Sequence, residues 1–151
     1  MGTPVTLRPP EDKDRAHWDR LFAAYFEFYK TAPPEGCFGT VWSWIHDDQN
    51  PFWCTLAQND TGEIIGFVHY QLWHNSMGAG MSVYMADLFV EPAVRGTGTG
   101  RALIDHVRAF AHERGIPSVD WLTQDFNYPG RQLYDSYAPK TDFVFYSVPS
   151  R

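Results

Sequence analysis

The sequence predicts an α/β (α+β) fold, with one mixed, mostly antiparallel central sheet and helices on both of its faces. Three observations predict it. Residues 52–90 hold three apolar runs separated by short turns rich in Asn and Gly, the pattern of an antiparallel meander. Residues 81–123 read strand, glycine-rich loop, amphipathic helix, strand, and such a unit closes as a right-handed parallel crossover. An aromatic stripe at helical spacing between Trp18 and Tyr29 needs a sheet face to cover.

The elements follow in order. Val5 and Leu7 alternate with Thr6 and Arg8, so residues 4–8 read as a short strand that Pro9-Pro10 stops. Asp12 or Asp14 can cap the helix that follows. In that helix Trp18, Leu21, Phe22, Tyr25, Phe28 and Tyr29 recur at spacings of three and four. Thr31–Gly39, with Pro33-Pro34, is a loop, and Thr40–Asp48 is a short second helix. Phe52–Ala57 and Glu63–Trp73 are strands joined by the hairpin turn Asn59-Asp60-Thr61-Gly62. Asn75–Gly80 is a second turn, and Met81–Val90 returns as a strand. Gly96–Gly115 is loop plus helix, with Leu103, Val107, Phe110 and Ala111 on one face; Gly115 and Pro117 end it. Val119–Thr123 is a strand, Asn127–Tyr137 a helix and Asp142–Val148 a last strand.

The 151 residues fit a single domain, 1–151. Apolar residues make up 44% and charged residues 20%, ordinary for a globular chain, while aromatics are high at 17%. The net charge of −6 argues against nucleic acid, whose binding rests on Lys and Arg. No apolar run approaches the ~20 residues a membrane span needs. Cys37 and Cys54 form no CxxC pair, so neither a zinc site nor any other metal site is expected. Met1-Gly2-Thr3-Pro4 leads into a polar stretch rather than a secretory leader, and Met1-Gly2 matches a myristoylation start too briefly to count. The expected setting is a reducing cytoplasm with both thiols free.

The chemistry concentrates at Arg95-Gly96-Thr97-Gly98-Thr99-Gly100-Arg101. Glycines at every second position let backbone N–H groups turn toward a ligand. The following helix leaves its first N–H groups unpaired and carries roughly +0.5 charge at that end. With Arg95 and Arg101 on the flanks, the loop is an anion cradle suited to phosphates. It lacks the Gly-Lys-Ser/Thr ending of a P-loop, because it closes Gly100-Arg101-Ala102. It also lacks the G-x-G-x-x-G spacing of a dinucleotide fingerprint, because Arg101 stands at the third glycine position. What remains is Arg/Gln-x-x-Gly-x-Gly/Ala, matched by Arg95, Gly98 and Gly100.

Tyr84-Met85-Ala86-Asp87-Leu88-Phe89-Val90-Glu91-Pro92-x-x-Arg95-Gly96-x-Gly98-x-Gly100 resembles motif A of the GCN5-related N-acetyltransferase (GNAT) superfamily. Asn127-x-x-Gly130-x-x-Leu133-Tyr134 is similar to that family's later motif, and the strand order matches its fold over nearly the whole chain. The Tyr-x-x-Asp-Leu-Phe-Val strand and Val119-x-Trp121-x-Thr123 resemble, more narrowly, the branch of polyamine, thialysine, D-amino-acid and histone-type acetyltransferases. Two departures stand out. Asp135-Ser136-Tyr137-Ala138-Pro139 replaces the usual Gly-Phe, and Ala86 stands where polyamine enzymes carry an acidic residue.

The resemblance implies acetyl-CoA as cofactor and acetyl transfer to a primary amine of a small molecule by direct attack in a ternary complex. Peptide or protein lysine acetylation, or a CoA-binding regulator without catalysis, are the alternatives. It implies that two strands split apart and that the pantetheine arm pairs with the edge at Leu88, Phe89 and Val90. A bulge there would free the N–H of Leu88 or Phe89 for the thioester carbonyl. Asp87 ranks first as general base, ahead of Glu35 and Glu27, and Glu35 is also a candidate for binding a cationic acceptor. His69 and His74 lie near the cleft and read as surface histidines with satisfied hydrogen bonds. Tyr134 aligns with the tyrosine that protonates the leaving thiolate. Asn127 caps its helix and meets the pantetheine amides. Tyr25, Phe28 and Tyr29, with Trp42 and Trp44, would roof the acceptor site. The many aromatics, Trp73 and Trp121 among them, suit a homodimer interface.

Overall fold

The computed structural model describes residues 4–151. The Met1-Gly2 reading therefore lies outside the described residues. The elements are β1 (Thr6–Arg8), α1 (Arg15–Phe28), α2 (Cys37–Ile45), β2 (Phe52–Gln58), β3 (Ile64–Asn75), β4 (Gly80–Val90), α3 (Thr99–Glu113), β5 (Val119–Trp121) and α4 (Tyr128–Asp135). The five strands lie in sequence order in one sheet. The first four pair antiparallel, and β5 pairs parallel to β4 after the α3 crossover. The mixed sheet with helices on both faces is thus observed.

Each face of the sheet buries a separate apolar cluster. On one face Trp18, Leu21 and Phe22 of α1 and Val41 of α2 cover Leu56, Phe67 and Phe89. On the other, Leu103, Ile104, Val107 and Phe110 of α3 cover Val68, Val83 and Val90. Each fully buried large side chain contributes about 1.5–3 kcal/mol, and it is this burial that holds the helices to the sheet. Arg8 ties β1 to the start of α1 through two bonds to the Asp14 carboxylate, at 2.7 and 2.9 Å. That pairing holds Asp14 below the usual carboxylate range.

Several element ends shift from the sequence reading, and one expected element is missing. Helix α2 begins three residues early, because Gly36 adopts φ 74 and its carbonyl accepts from Thr40 N–H. Strand β5 ends at Trp121 rather than Thr123. The expected last strand is absent: residues 142–148 form no ladder, and Phe143 and Tyr146 are 88% and 87% exposed. Aromatic and β-branched composition favours extended backbone, but a strand also needs a partner edge, and β5 offers only three residues.

One irregularity shapes the site. The register runs Val68↔Leu88 and His69↔Asp87, then jumps to Tyr70↔Met85. Ala86 is therefore the extra residue of a β-bulge. Past it the side chains change phase, so Met85 and Val90 both join the α3-side core while Phe89 joins the α1 side.

Candidate active site

The first component is an open strand edge. Strand β5 covers β4 only at Val83, Tyr84 and Met85. From Ala86 to Val90 the outer edge of β4 has no paired strand among the described residues. Glu91 N–H donates to Ile65 O, which fixes the phase of the ladder. By antiparallel alternation the N–H groups of Phe89 and Asp87 point at β3, and those of Leu88 and Val90 point into the opening. The alternation thus separates the two oxyanion candidates: Leu88 has its N–H on the open side, and Phe89 does not. The bulge lies at Ala86, two residues before the expected place.

The second component is the glycine loop. Gly96 and Gly98 take φ 83 and 91, left-handed backbone that side chains disfavour. Gly98 is the N-cap of α3, so the loop aims its amides and the helix N-terminus at one spot. Arg95 is pinned by Nε donating to Val90 O at 3.0 Å and lies over the Phe89 ring at 5.3 Å. Arg101 donates to Ser136 Oγ at 2.6 Å and stacks on Tyr137. Thr97 turns inward, its hydroxyl bonded to Val94 O.

A cavity of about 480 Å³ joins these parts. Leu88, Phe89 and Val90 form one wall, and Arg95, Gly96, Gly98, Thr99, Gly100 and Arg101 form its base. Asn127 and Tyr134 close it from α4, and Tyr25 and Tyr29 from α1. Phe28, expected with them in the acceptor roof, also lines it, and Gln132 and Leu133 join without having been singled out from the sequence as ligand contacts. Such a volume, with a cationic base and apolar walls, fits a phosphorylated, pantetheine-type ligand. Thr97 and Glu35 do not line it; Glu35 is exposed on the loop before α2. Trp42 packs on Trp18 at 5.1 Å and Trp44 on Phe52 at 5.5 Å, so neither roofs the cavity.

Helix α4 depends on a close approach. Asn127 Oδ1 accepts from Gly130 N–H at 3.3 Å, and its Nδ2 donates to Thr123 Oγ1 at 2.9 Å. A Cβ at position 130 would sit 2.6 Å from Asn127 Nδ2, so a larger residue there would require the Asn127 side chain to shift. The cap orients the helix that carries Tyr134, whose ring packs on Trp121 at 5.6 Å. Burial pushes the Tyr134 hydroxyl up to about 12, with Tyr29 adding and Arg95 opposing.

The third component lies on the α1 face at the bulge. Asp87 does not line the cavity, but it sits beside Tyr25, which does. The Tyr25 hydroxyl is pushed up by burial first and then by the charge of Asp87. Tyr84 is raised for the same two reasons, in the same order. One carboxylate therefore stands among phenols that stay protonated. Glu27 and His74 are exposed. His69 corrects the sequence reading: it is fully buried, not on the surface. Its Nδ1 lies 2.9 Å from Asp87 Oδ2 and its Nε2 lies 3.0 Å from Trp18 Nε1. Counting across the turn from Asn75↔Gly80 would set His69 opposite Ala86; only the bulge brings Asp87 there.

Comparison with known proteins agrees with this geometry. Residues 18–137 match the model of the Acetyltransferase (GNAT) family. The chain is 36% identical over 143 residues to a D-amino-acid N-acetyltransferase of Saccharomyces cerevisiae, covering 94% of this chain and 89% of that one. It is 26% identical over 81 residues to a thialysine N-epsilon-acetyltransferase of Caenorhabditis elegans, covering 54% of this chain and 48% of that one. Among solved structures, an aminoglycoside N-acetyltransferase in complex with CoA superposes with a TM-score of 0.82 at 18% identity, covering 100% of this chain and 98% of that one.

Proposed function

Because the chain belongs to the acetyltransferase (GNAT) family and is an acetyl-CoA-dependent N-acetyltransferase, we propose that its acceptor is the primary amine of a small molecule, amino-acid-like in character, attacked directly in a ternary complex. One observation carries the proposal. The cavity that starts at the glycine loop ends at Tyr25 and Tyr29, and Tyr25 lies beside the Asp87 carboxylate. An ammonium fits a carboxylate ringed by aromatic faces. The resemblance to the yeast D-amino-acid enzyme over most of both chains supports an amino-acid acceptor.

The chain's own groups have these roles in the proposal. Arg95, Arg101 and the amides of Gly96–Gly100 hold the pyrophosphate, while Leu88, Val90 and Asn127 align the pantetheine arm along the open edge of β4. Acetyl-CoA supplies the activated acyl group. An amine with pKa ~10.4 costs about 5 kcal/mol to deprotonate at pH 7. Asp87 takes that proton, directly or through a water. The Leu88 N–H stabilises charge on the carbonyl oxygen, a role worth about 3–4 kcal/mol in other acyl transfers.

Tyr134 serves the leaving sulfur. Against a solvated thiolate near 8.5, full proton transfer from a hydroxyl at about 12 is uphill by about 5 kcal/mol, and burial of the thiolate reduces that difference. Burial has thus made Tyr134 a weaker acid than its type implies, and its contribution is a hydrogen bond that strengthens as the sulfur gains charge. Tyr134→Phe therefore lowers kcat by roughly 10- to 100-fold, the scale of one charge-assisted bond, with acetyl-CoA affinity within about threefold of wild type. Turnover at the wild-type rate would remove this role.

The deciding experiment measures free-thiol release with D-amino acids, L-amino acids, polyamines and lysine-containing peptides. Saturable turnover with free amino acids is expected. Turnover confined to peptides would move the assignment to protein acetylation, and silence on every acceptor would move it to a CoA-binding regulator.

The same proposal includes a homodimer. Phe143, Val144, Phe145, Tyr146 and Val148 are all more than 70% exposed, and together they form a β-prone run without a partner edge. Light scattering after gel filtration gives twice the chain mass, and truncation after Thr141 gives the monomer. A monomeric full-length chain overturns it.

A further inference from the structure

We infer that His69 is a positioning residue, locked in one tautomer by Trp18 so that it orients the Asp87 carboxylate for the incoming amine. This rests on the proposed base role of Asp87 and deepens it. The inference begins with a donor that has no choice. An indole N–H can only donate, so His69 Nε2, 3.0 Å away, has to accept and carries no proton. The neutral ring then bears its hydrogen on Nδ1, which lies 2.9 Å from Asp87 Oδ2 and donates to it. The contact is a hydrogen bond from a neutral imidazole rather than an ion pair.

The surroundings leave the ring one orientation. His69 is fully buried, with Phe67 at 4.7 Å, Phe22 at 5.0 Å and Phe52 at 5.5 Å between ring centroids. Trp18, its hydrogen-bond partner, is itself fully buried in the α1-side core. The line Trp18–His69–Asp87 therefore runs from the fully buried α1-side core to a carboxylate that is partly exposed, with 23% of its side chain accessible. Oδ2 is held, and Oδ1 keeps its capacity to accept. The carboxylate thus presents a defined oxygen without loss of side-chain entropy at the moment of reaction. The bulge at Ala86 is what makes the pairing possible, since it sets Asp87 directly opposite His69.

Two substitutions separate positioning from packing. In His69→Asn the amide nitrogen takes the place of Nδ1, so the bond to Asp87 is kept and the one to Trp18 is lost. In His69→Gln the amide oxygen takes the place of Nε2, so the bond to Trp18 is kept and the one to Asp87 is lost. A positioning role predicts crossed rankings. The Gln variant melts at the higher temperature of the two but loses about 10- to 100-fold in kcat, the lower part of what a general base supplies. The Asn variant melts lower and keeps kcat within about fivefold of wild type. Both bind acetyl-CoA like wild type, because His69 lies outside the cavity. Nitrogen-15 spectra of the wild-type protein show hydrogen on Nδ1 and a bare Nε2, and Trp18→Phe lets the second tautomer appear.

Parallel rankings of melting temperature and kcat, or a bare Nδ1, overturn the inference. If Asp87→Asn turns over at the wild-type rate, the base role falls and the positioning role with it. If Asp87→Asn is inactive while His69→Gln is not, the positioning role alone falls.

Discussion

Asp87→Asn lowers kcat at pH 7 by about 10²- to 10⁴-fold, the range that a positioned general base supplies. The substitution is close to isosteric. Its amide oxygen can still accept from His69 Nδ1, so the pairing across β3 and β4 survives and the fold is retained. What is lost is the capacity to take a proton. The variant must then wait for acceptor that is already neutral in solution, which at pH 7 is a small fraction of an amine with pKa ~10.4. Its rate should therefore climb about tenfold per pH unit between pH 7 and 9, and the deficit against wild type should narrow accordingly. Acetyl-CoA affinity should be unchanged, because Asp87 is not on the cavity wall. Thiol release at two pH values, with calorimetric titration of acetyl-CoA, tests all three expectations. A variant that matches wild-type kcat at pH 7 eliminates Asp87 as the base.

What could be read from the residues follows from which forces are local. The β2–β3 hairpin was legible because Asn59 and Gly62 specify the turn and the flanking runs specify the strands. The anion cradle was legible because positive φ at Gly96 and Gly98 is a property of glycine itself. The misses depend on partners distant in sequence. Residues 142–148 have strand composition, yet no local pattern reports whether an edge is free to receive them. Trp42 and Trp44, two residues apart, project from different sides of a helix, and only the folded position of α2 shows that they pack on Trp18 and Phe52. His69 reads as a surface residue because its side chain is polar, whereas on β3 it shares the α1-covered face with Phe67; the bulge at Ala86 decides only that Asp87 is the side chain it meets. The open edge at Leu88 was anticipated by resemblance, but choosing between Leu88 and Phe89 needed the ladder phase set by Glu91 and Ile65.

Gly98→Glu raises the dissociation constant for acetyl-CoA at least 100-fold, about 2.7 kcal/mol. Two effects add. Position 98 has φ 91, where any side chain costs about 1–2 kcal/mol, and the strain falls at the N-cap of α3. The new carboxylate also occupies the place where the helix N-terminus and loop amides favour an anion, so it opposes the pyrophosphate in the same field that attracts it. Arg95→Glu separates the electrostatic part from the strain, because Arg95 has ordinary extended backbone. It removes a charge-assisted bond of about 1.5–3 kcal/mol and inserts a like charge, so a loss near 100-fold is again expected, with little change in the helix signal of α3. Arg95→Lys should fall between, since lysine keeps the charge but cannot reproduce the planar stacking over Phe28 and Phe89. The wild-type affinity should weaken with added salt, and the Arg95→Glu affinity much less so, because the screened attraction is the one that substitution removes. Titration of acetyl-CoA into the three variants at two salt concentrations measures this directly. If Gly98→Glu and Arg95→Glu both bind within threefold of wild type, the loop between Arg95 and Arg101 does not hold the pyrophosphate, and the cavity must be filled from another direction.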